Sequence, residues 1–330
     1  MSESISVLTG ATGHIGYALL KLLADRGERV RILIRKDTNI FDGIECEKVY
    51  GDVTDPQSLE RAFEGADVVY HLAGLIDINT GNDAAVWNVN FGGTKNVVEA
   101  CQKCGVRRLV YASSVDAYIP LPGNELMCEV ERFDPDALDG TYAKTKATAT
   151  NFVFDAVKQS DLDAVVVYPG ACIGPYDFKV SAVGEMVRMF VHGSFPVSLG
   201  FGAYNFVDVR DVAMGMYLAA QKGRKGEGYI LCGQQITTHG FIATVSKVCG
   251  KKCPKLRMGK GIVSFAAPIM EVYYKVSKTT PLFTRYTVRK LLSNCNFSIE
   301  KAKTELGYAP MSVEQSVRDM VEWIREYEAK

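Results

Sequence analysis

A chain of 330 residues is long enough for one large domain or two unequal lobes sharing a core. Its 38 lysines and arginines balance 38 aspartates and glutamates, so no global field gathers nucleic acid or an anionic membrane, and neither is expected as a partner. Apolar residues make up 47%, ordinary for a globular protein, and the nine cysteines are scattered rather than arranged as a disulfide framework. Met1-Ser2-Glu3-Ser4 leads straight into an apolar run without the regions of a signal peptide, so a cytoplasmic setting is expected.

The first element is an apolar strand, Ile5 to Leu8, followed by Thr9-Gly10-Ala11-Thr12-Gly13-His14-Ile15-Gly16 and a helix that stops near Gly27. Glycines at intervals of three in a strand-to-helix turn let a pyrophosphate approach backbone amides that face it from the helix N-terminus. The alternating run Arg29 to Arg35 reads as a second strand, ending in Arg35-Lys36. An acidic residue at this distance from the loop would accept bonds from a ribose hydroxyl; two cations suit a 2′-phosphate instead. NADP(H) is therefore favoured over NAD(H).

A short strand, Cys46 to Tyr50, leads into Gly51-Asp52-Val53-Thr54-Asp55, with Asp55 as N-cap and Pro56 opening the next helix. Asp67 to Gly74 is a buried strand ending in small residues, and His71 within it reads as a core residue rather than a metal ligand. Cys101 and Cys104 read as reduced helix cysteines, and no metal site is expected. Gly92-Gly93, if inside a helix, would cost roughly 1 kcal/mol each unless a close contact requires them. The strand Arg107 to Ala112 delivers Ser113-Ser114 at its carboxyl end, where open α/β sheets bind ligands. Tyr142 and Lys146, four apart, share one helix face, and a cation beside a phenol stabilises its phenolate. Ala164 to Tyr168 is a further buried strand, running into Pro169-Gly170-Ala171-Cys172-Ile173-Gly174-Pro175.

The glycine spacing, the Tyr142-Lys146 pair, and a serine upstream in the right strand order resemble the short-chain dehydrogenase/reductase superfamily, in particular its extended, epimerase-like branch. The resemblance implies an α/β, Rossmann-like doubly wound parallel sheet with a smaller, mainly C-terminal substrate lobe. The cofactor domain would comprise 1–175 and 206–232, and the substrate lobe 176–205 and 233–330. Phe206 to Ala213 would return the chain to the main sheet, followed by a helix and the strand Tyr229 to Cys232.

The same resemblance implies a Ser114, Tyr142, Lys146 catalytic set, with Ser114 preferred over Ser113 because Tyr118 follows it at the family's spacing. Tyr142 would be the acid or base, Ser114 would bind the substrate oxygen, and Lys146 would hold the nicotinamide ribose and lower the tyrosine pKa. Cofactor contacts would come from Gly10, Thr12, Gly13, His14, Ile15 and Gly16 of the loop. Asp52 and Val53 would bind the adenine, beside Arg35 and Lys36. Leu72, Ala73, Gly74, Tyr168, Pro169, Gly170 and Ile173 would lie towards the nicotinamide, and Asn90, on the family's long helix at Trp87 to Val98 and counted with the cofactor contacts, would help hold the active-site backbone. Pairing of two copies through the helices beside Ser114 and Tyr142 is left open.

Sugar-nucleotide enzymes of this branch carry an Arg-Asp pair where this chain has Tyr204-Asn205, and sugar dehydratases an Asp-Glu pair where it has Val115-Asp116. Loss of those charges argues for a less anionic substrate. Over its full length the chain most resembles reductases typified by dihydroflavonol reductase and 3β-hydroxysteroid dehydrogenases. The expected activity is NADP(H)-dependent interconversion of a ketone and a secondary alcohol on a small, largely apolar ring molecule. A nucleotide-sugar epimerase or dehydratase and a non-catalytic NADP(H) sensor are the alternatives. Gly261 to Tyr274 is apolar but too short for a membrane span, leaving a pocket wall, internal packing or a membrane surface as its place. The last helix, Val313 to Tyr327, is amphipathic.

Overall fold

In the computed structural model, residues 4–76, 82–193, 198–267 and 285–329 are described. β1 (Ile5–Thr9) is buried along its whole length, as a parallel strand covered by helices on both faces must be. It is an interior strand of a seven-stranded, all-parallel sheet with β2 (Arg29–Ile34), β3 (Glu47–Tyr50), β4 (Ala66–His71), β5 (Arg108–Ala112), β6 (Ala164–Pro169) and β10 (Gly228–Leu231), in the order β10-β6-β5-β4-β1-β2-β3. Strand order reverses between β1 and β4, so the loops after these two strands open a crevice at the carboxyl edge.

One face of the sheet is covered by α2 (Pro56–Phe63), α4 (Gly93–Lys103) and α5 (Thr141–Gln159), the other by α1 (His14–Asp25) and α7 (Val209–Lys222). α2 starts as its sequence dictates, with the Asp55 carboxylate accepting from the Gln57 amide and Pro56 in the first turn. The long helix expected from Trp87 is interrupted. α3 (Asp83–Trp87) passes through a π-helical turn (Asn88–Gly92) before α4. Gly93 is required there, because a Cβ would lie 2.7 Å from a Val53 methyl; Gly92 meets no comparable neighbour.

The second lobe is built on β7 (Ala171–Ile173), β9 (Ala203–Asp208) and β11 (Gln234–Thr237), packed by α6 (Ala182–His192), α8 (Thr238–Val248) and α11 (Val313–Glu328). Here the structure differs from expectation: Phe206 to Asp208 belongs to this small sheet, and the chain rejoins the main sheet through α7 and β10. Gly170 permits the approach, since a Cβ there would lie 3.0 Å from the Asn205 carbonyl oxygen. At the outer edge, β8 (Ser198–Leu199) pairs with β12 (Arg257–Met258) under α9 (260–267) and α10 (Arg285–Leu292). Of the apolar stretch 261–274, residues 268–274 lie outside the described residues. Among the described residues no helix is long and apolar enough to cross a membrane.

Candidate active site

The glycine-rich turn after β1 is a cradle that side chains would fill. Gly10, at φ 80°, packs so closely on the end of β4 that a Cβ would lie 2.6 Å from the Ala73 amide nitrogen, and a Cβ on Gly16 would fall on the Gly10 carbonyl. Gly13 caps α1 without a side chain, so the first-turn amides at His14, Ile15 and Gly16 face the crevice uncapped. These residues fit the pyrophosphate of a dinucleotide.

The side chain of His14 has another task. Its Nε2 donates to the Pro175 carbonyl at 2.8 Å, and burial pushes its pKa down, so it ties the turn to the second lobe as a neutral imidazole. At the end of β2, Arg35 is 71% exposed with Nη1 3.9 Å from Asp52 Oδ2, and Lys36 is exposed beside it. Asp52 is oriented by the amide and hydroxyl of Thr54, at 2.9 and 2.8 Å. Val53 packs inward against Gly93, and its carbonyl accepts from Asn96.

Lys179 also belongs to this corner. Its Nζ donates to Thr12 Oγ1 at 3.2 Å, and partial burial together with the nearby Arg35 guanidinium lowers its pKa. The segment that carries it crosses the turn with Tyr176 and Val180 both at positive φ, while Tyr176 and Phe178 pack on the Tyr17 ring. Sequence reasoning missed this lysine: nothing local marks it, and the fold alone brings it to the turn.

The catalytic candidates converge at the carboxyl ends of β4 and β5. Lys146 is buried on α5, its Nζ 2.8 Å from the Ala112 carbonyl oxygen and 5.0 Å from the Tyr111 ring centroid; burial lowers its pKa to about 8. Gly74 leaves room above it, since a Cβ there would lie 3.2 Å from Asn90 Oδ1 and 3.5 Å from Lys146 Nζ. Asn90, fully buried in the π-helical turn, clamps Leu75 in both directions, accepting from its amide at 2.7 Å and donating to its carbonyl at 3.0 Å. It also donates to Thr145 Oγ1, which in turn donates to the Tyr142 carbonyl.

A second chain of bonds lies beneath. Thr94 donates to the Asn90 carbonyl at 2.6 Å, so it must accept from His71 Nε2, at 3.0 Å; that leaves His71 Nδ1 to accept from Thr9, at 2.7 Å. Burial, followed by the Lys146 charge, lowers the His71 pKa to about 3 and keeps it neutral. His71 is thus a core residue that ties β1, β4 and the π-helical turn together.

The two serines differ in their bonding. Ser113 is buried and bonded to Thr150, whose hydroxyl is donated to the Lys146 carbonyl, whereas Ser114 caps the short 3-10 turn Val115–Ala117 and hydrogen-bonds Tyr142. One expectation is reversed: the Tyr142 phenol is pushed up rather than down. Burial is the largest cause, the Asp116 carboxylate adds to it, and the Ser114 bond opposes both. The Lys146 ammonium is hydrogen-bonded to the Ala112 carbonyl.

Towards the second lobe, Asp116 pairs with Lys290 of α10 at 2.7 Å and also raises the pKa of Tyr204, after burial. Arg289 pairs with Asp139 at 3.3 Å. The backbone of Leu72 and Ala73 packs on Gly10 of the turn, whereas Gly170 packs on Asn205 and Cys232. The side chains of Tyr168 and Ile173 are fully buried in the cores of the main sheet and the second lobe, so these two can serve a ligand through their backbone alone.

A model of the NAD dependent epimerase/dehydratase family matches residues 6–232. The chain is 33% identical over 331 residues to sterol demethylase protein B of Methylococcus capsulatus, covering 97% of this chain and 98% of that protein. It is 29% identical to a putative dihydroflavonol 4-reductase of a Synechocystis species, covering 97% and 94%. Among solved structures, gox2253 superposes with a TM-score of 0.85 at 30% identity, covering 98% of each chain.

Proposed function

Because the chain belongs to the NAD-dependent epimerase/dehydratase family and is an oxidoreductase of that family, we propose that it interconverts a ketone and a secondary alcohol on a largely apolar ring substrate, using NADP(H). The reading is supported by the bond between Ser114 and Tyr142 and by Lys146, which is held on the Ala112 carbonyl with its Nζ beside Gly74. A dinucleotide held there would supply or take the hydride. Ser114 orients the substrate oxygen; in reduction Tyr142 gives that oxygen its proton, and in oxidation the phenolate takes the proton back. Lys146 would hold the nicotinamide ribose, and Asn90 holds the nearby backbone at Leu75.

The cofactor preference is supported by Arg35 and Lys179, two cations on the adenosine side of the cradle. An apolar substrate is supported by the internal pairing of the nearby charges, Lys290 with Asp116 and Arg289 with Asp139, and by the aromatic Tyr204. A sterol or flavonoid skeleton is the class that the two curated relatives' names suggest. NADPH oxidation by the purified protein, followed across keto-steroids, flavonoids and sugar nucleotides, tests the reading. Turnover with ring ketones is expected; turnover confined to sugar nucleotides, or none at all, overturns it.

A further inference from the structure

The overall charge balance conceals a segregation. Between Glu227 and Glu300 the chain carries eleven lysines and arginines and a single acidic residue, Glu271, so the compensating acids all lie elsewhere. Much of this basic stretch forms the outer edge of the second lobe, from the end of α8 through β12 into α9. Lys252, Lys255 and Lys260 are exposed there and make no ion pair among the described residues. Holding like charges together without local acids is unfavourable unless an anionic surface meets them.

The same edge is also apolar at its tips. In α9, Val263 and Ala267 pack inward against Leu199, Val288 and Leu291. The opposite side carries no polar face to match: Ile262 and Phe265, three apart, stand 64% and 79% exposed, and Leu256 just before β12 is 62% exposed. A helix apolar on both sides is ordinarily enclosed by protein or lipid. Large apolar tips among lysines, with acids excluded, form the composition of an interfacial segment.

We propose that this edge of the second lobe docks on an anionic lipid bilayer, with Leu256, Ile262 and Phe265 entering the acyl boundary and Lys252, Lys255 and Lys260 lying among the headgroups. A second copy of the chain is a poor occupant, because a symmetric contact would set the lysines against their own duplicates. Nucleic acid is also a poor one, since Leu256 and Ile262 offer its phosphates and bases neither hydrogen bonds nor stacking. The docking does not depend on the reaction, although an apolar ring substrate would be most concentrated in such a bilayer.

Co-sedimentation of the full chain with vesicles tests the inference. The protein should pellet with phosphatidylcholine vesicles containing phosphatidylglycerol, bind pure phosphatidylcholine at least about ten-fold more weakly, and be released by salt. The I262S/F265S variant and the K252E/K255E/K260E variant should each lose about ten-fold or more in binding to anionic vesicles. An unchanged thermal midpoint shows that each variant is folded. No binding by the wild type, or binding that survives both sets of substitutions, overturns the proposal. Binding to duplex DNA as tight as to vesicles, insensitive to I262S/F265S, also overturns it and makes the edge a general polyanion site.

Discussion

Lys146 donates to the Ala112 carbonyl oxygen at 2.8 Å from a buried position where its pKa falls to about 8. The shift has a definite consequence for stability. Unfolded lysine titrates near 10.4, so between pH 8 and that value the unfolded chain holds a proton that the folded chain has released, and stability rises with pH through this window. Below pH 8 both states are protonated and the full cost of burying the ammonium is present. In urea titrations, the wild type should gain about 3 kcal/mol relative to Lys146→Met between pH 8 and 10.5, with other titrating groups cancelling in the difference. A difference that stays flat across this range would mean that Lys146 is charged throughout in the folded protein.

The bond between Ser114 and Tyr142 separates proton transfer from cofactor binding. Tyr142→Phe should lower kcat by roughly 10²–10⁴-fold, while NADPH binding, followed by nicotinamide fluorescence, changes little. Ser114→Ala should lower kcat by about 10²-fold through loss of one donor to the substrate oxygen. Ser113→Ala is the control with the opposite profile: it removes the buried bond to Thr150, so its effect should appear as about 1 kcal/mol of stability. A Tyr142→Phe enzyme with wild-type kcat would remove the phenol from the mechanism.

The glycine turn and the strand that leads into it were legible because each is written in neighbouring residues. The cradle and the strand-to-helix transition need only Gly10, Gly13 and Gly16 in a fixed local frame. The break in the helix after Trp87 was not legible, because Asn88 to Gly92 reads as helix by pattern and its π-helical turn arises from the tertiary bonds of Asn90 with Leu75 and Thr145. Lys179 and Lys290 were invisible for the same reason: their partners, Thr12 and Asp116, lie far away in sequence. The basic edge was missed differently, since summing charge over the whole chain erased a strong local excess.

Lys179, held on Thr12 and facing Arg35, should sense the 2′-phosphate of the cofactor. Lys179→Met should raise the Kd for NADPH about ten-fold and leave that for NADH nearly unchanged, because one charge-assisted contact to the extra phosphate is lost. Equal weakening of both cofactors would place the lysine on the pyrophosphate instead. A wild type that binds the two equally would refute the NADP(H) preference itself.

The Asp116 and Lys290 pair allows a test with two opposite signs. The Asp116 carboxylate raises the Tyr142 pKa, and Lys290, 2.7 Å from that carboxylate, offsets part of its field. Asp116→Asn removes the negative charge, so the phenolate forms more easily and the alkaline limb of kcat/KM for reduction should move to lower pH. Lys290→Met leaves the carboxylate uncompensated, so the same limb should move to higher pH. The shifts should be on the order of half a pH unit or more, given charges several ångströms apart in a partly buried site. Profiles that move together, or that do not move in either variant, would show that the limb reports a group other than Tyr142.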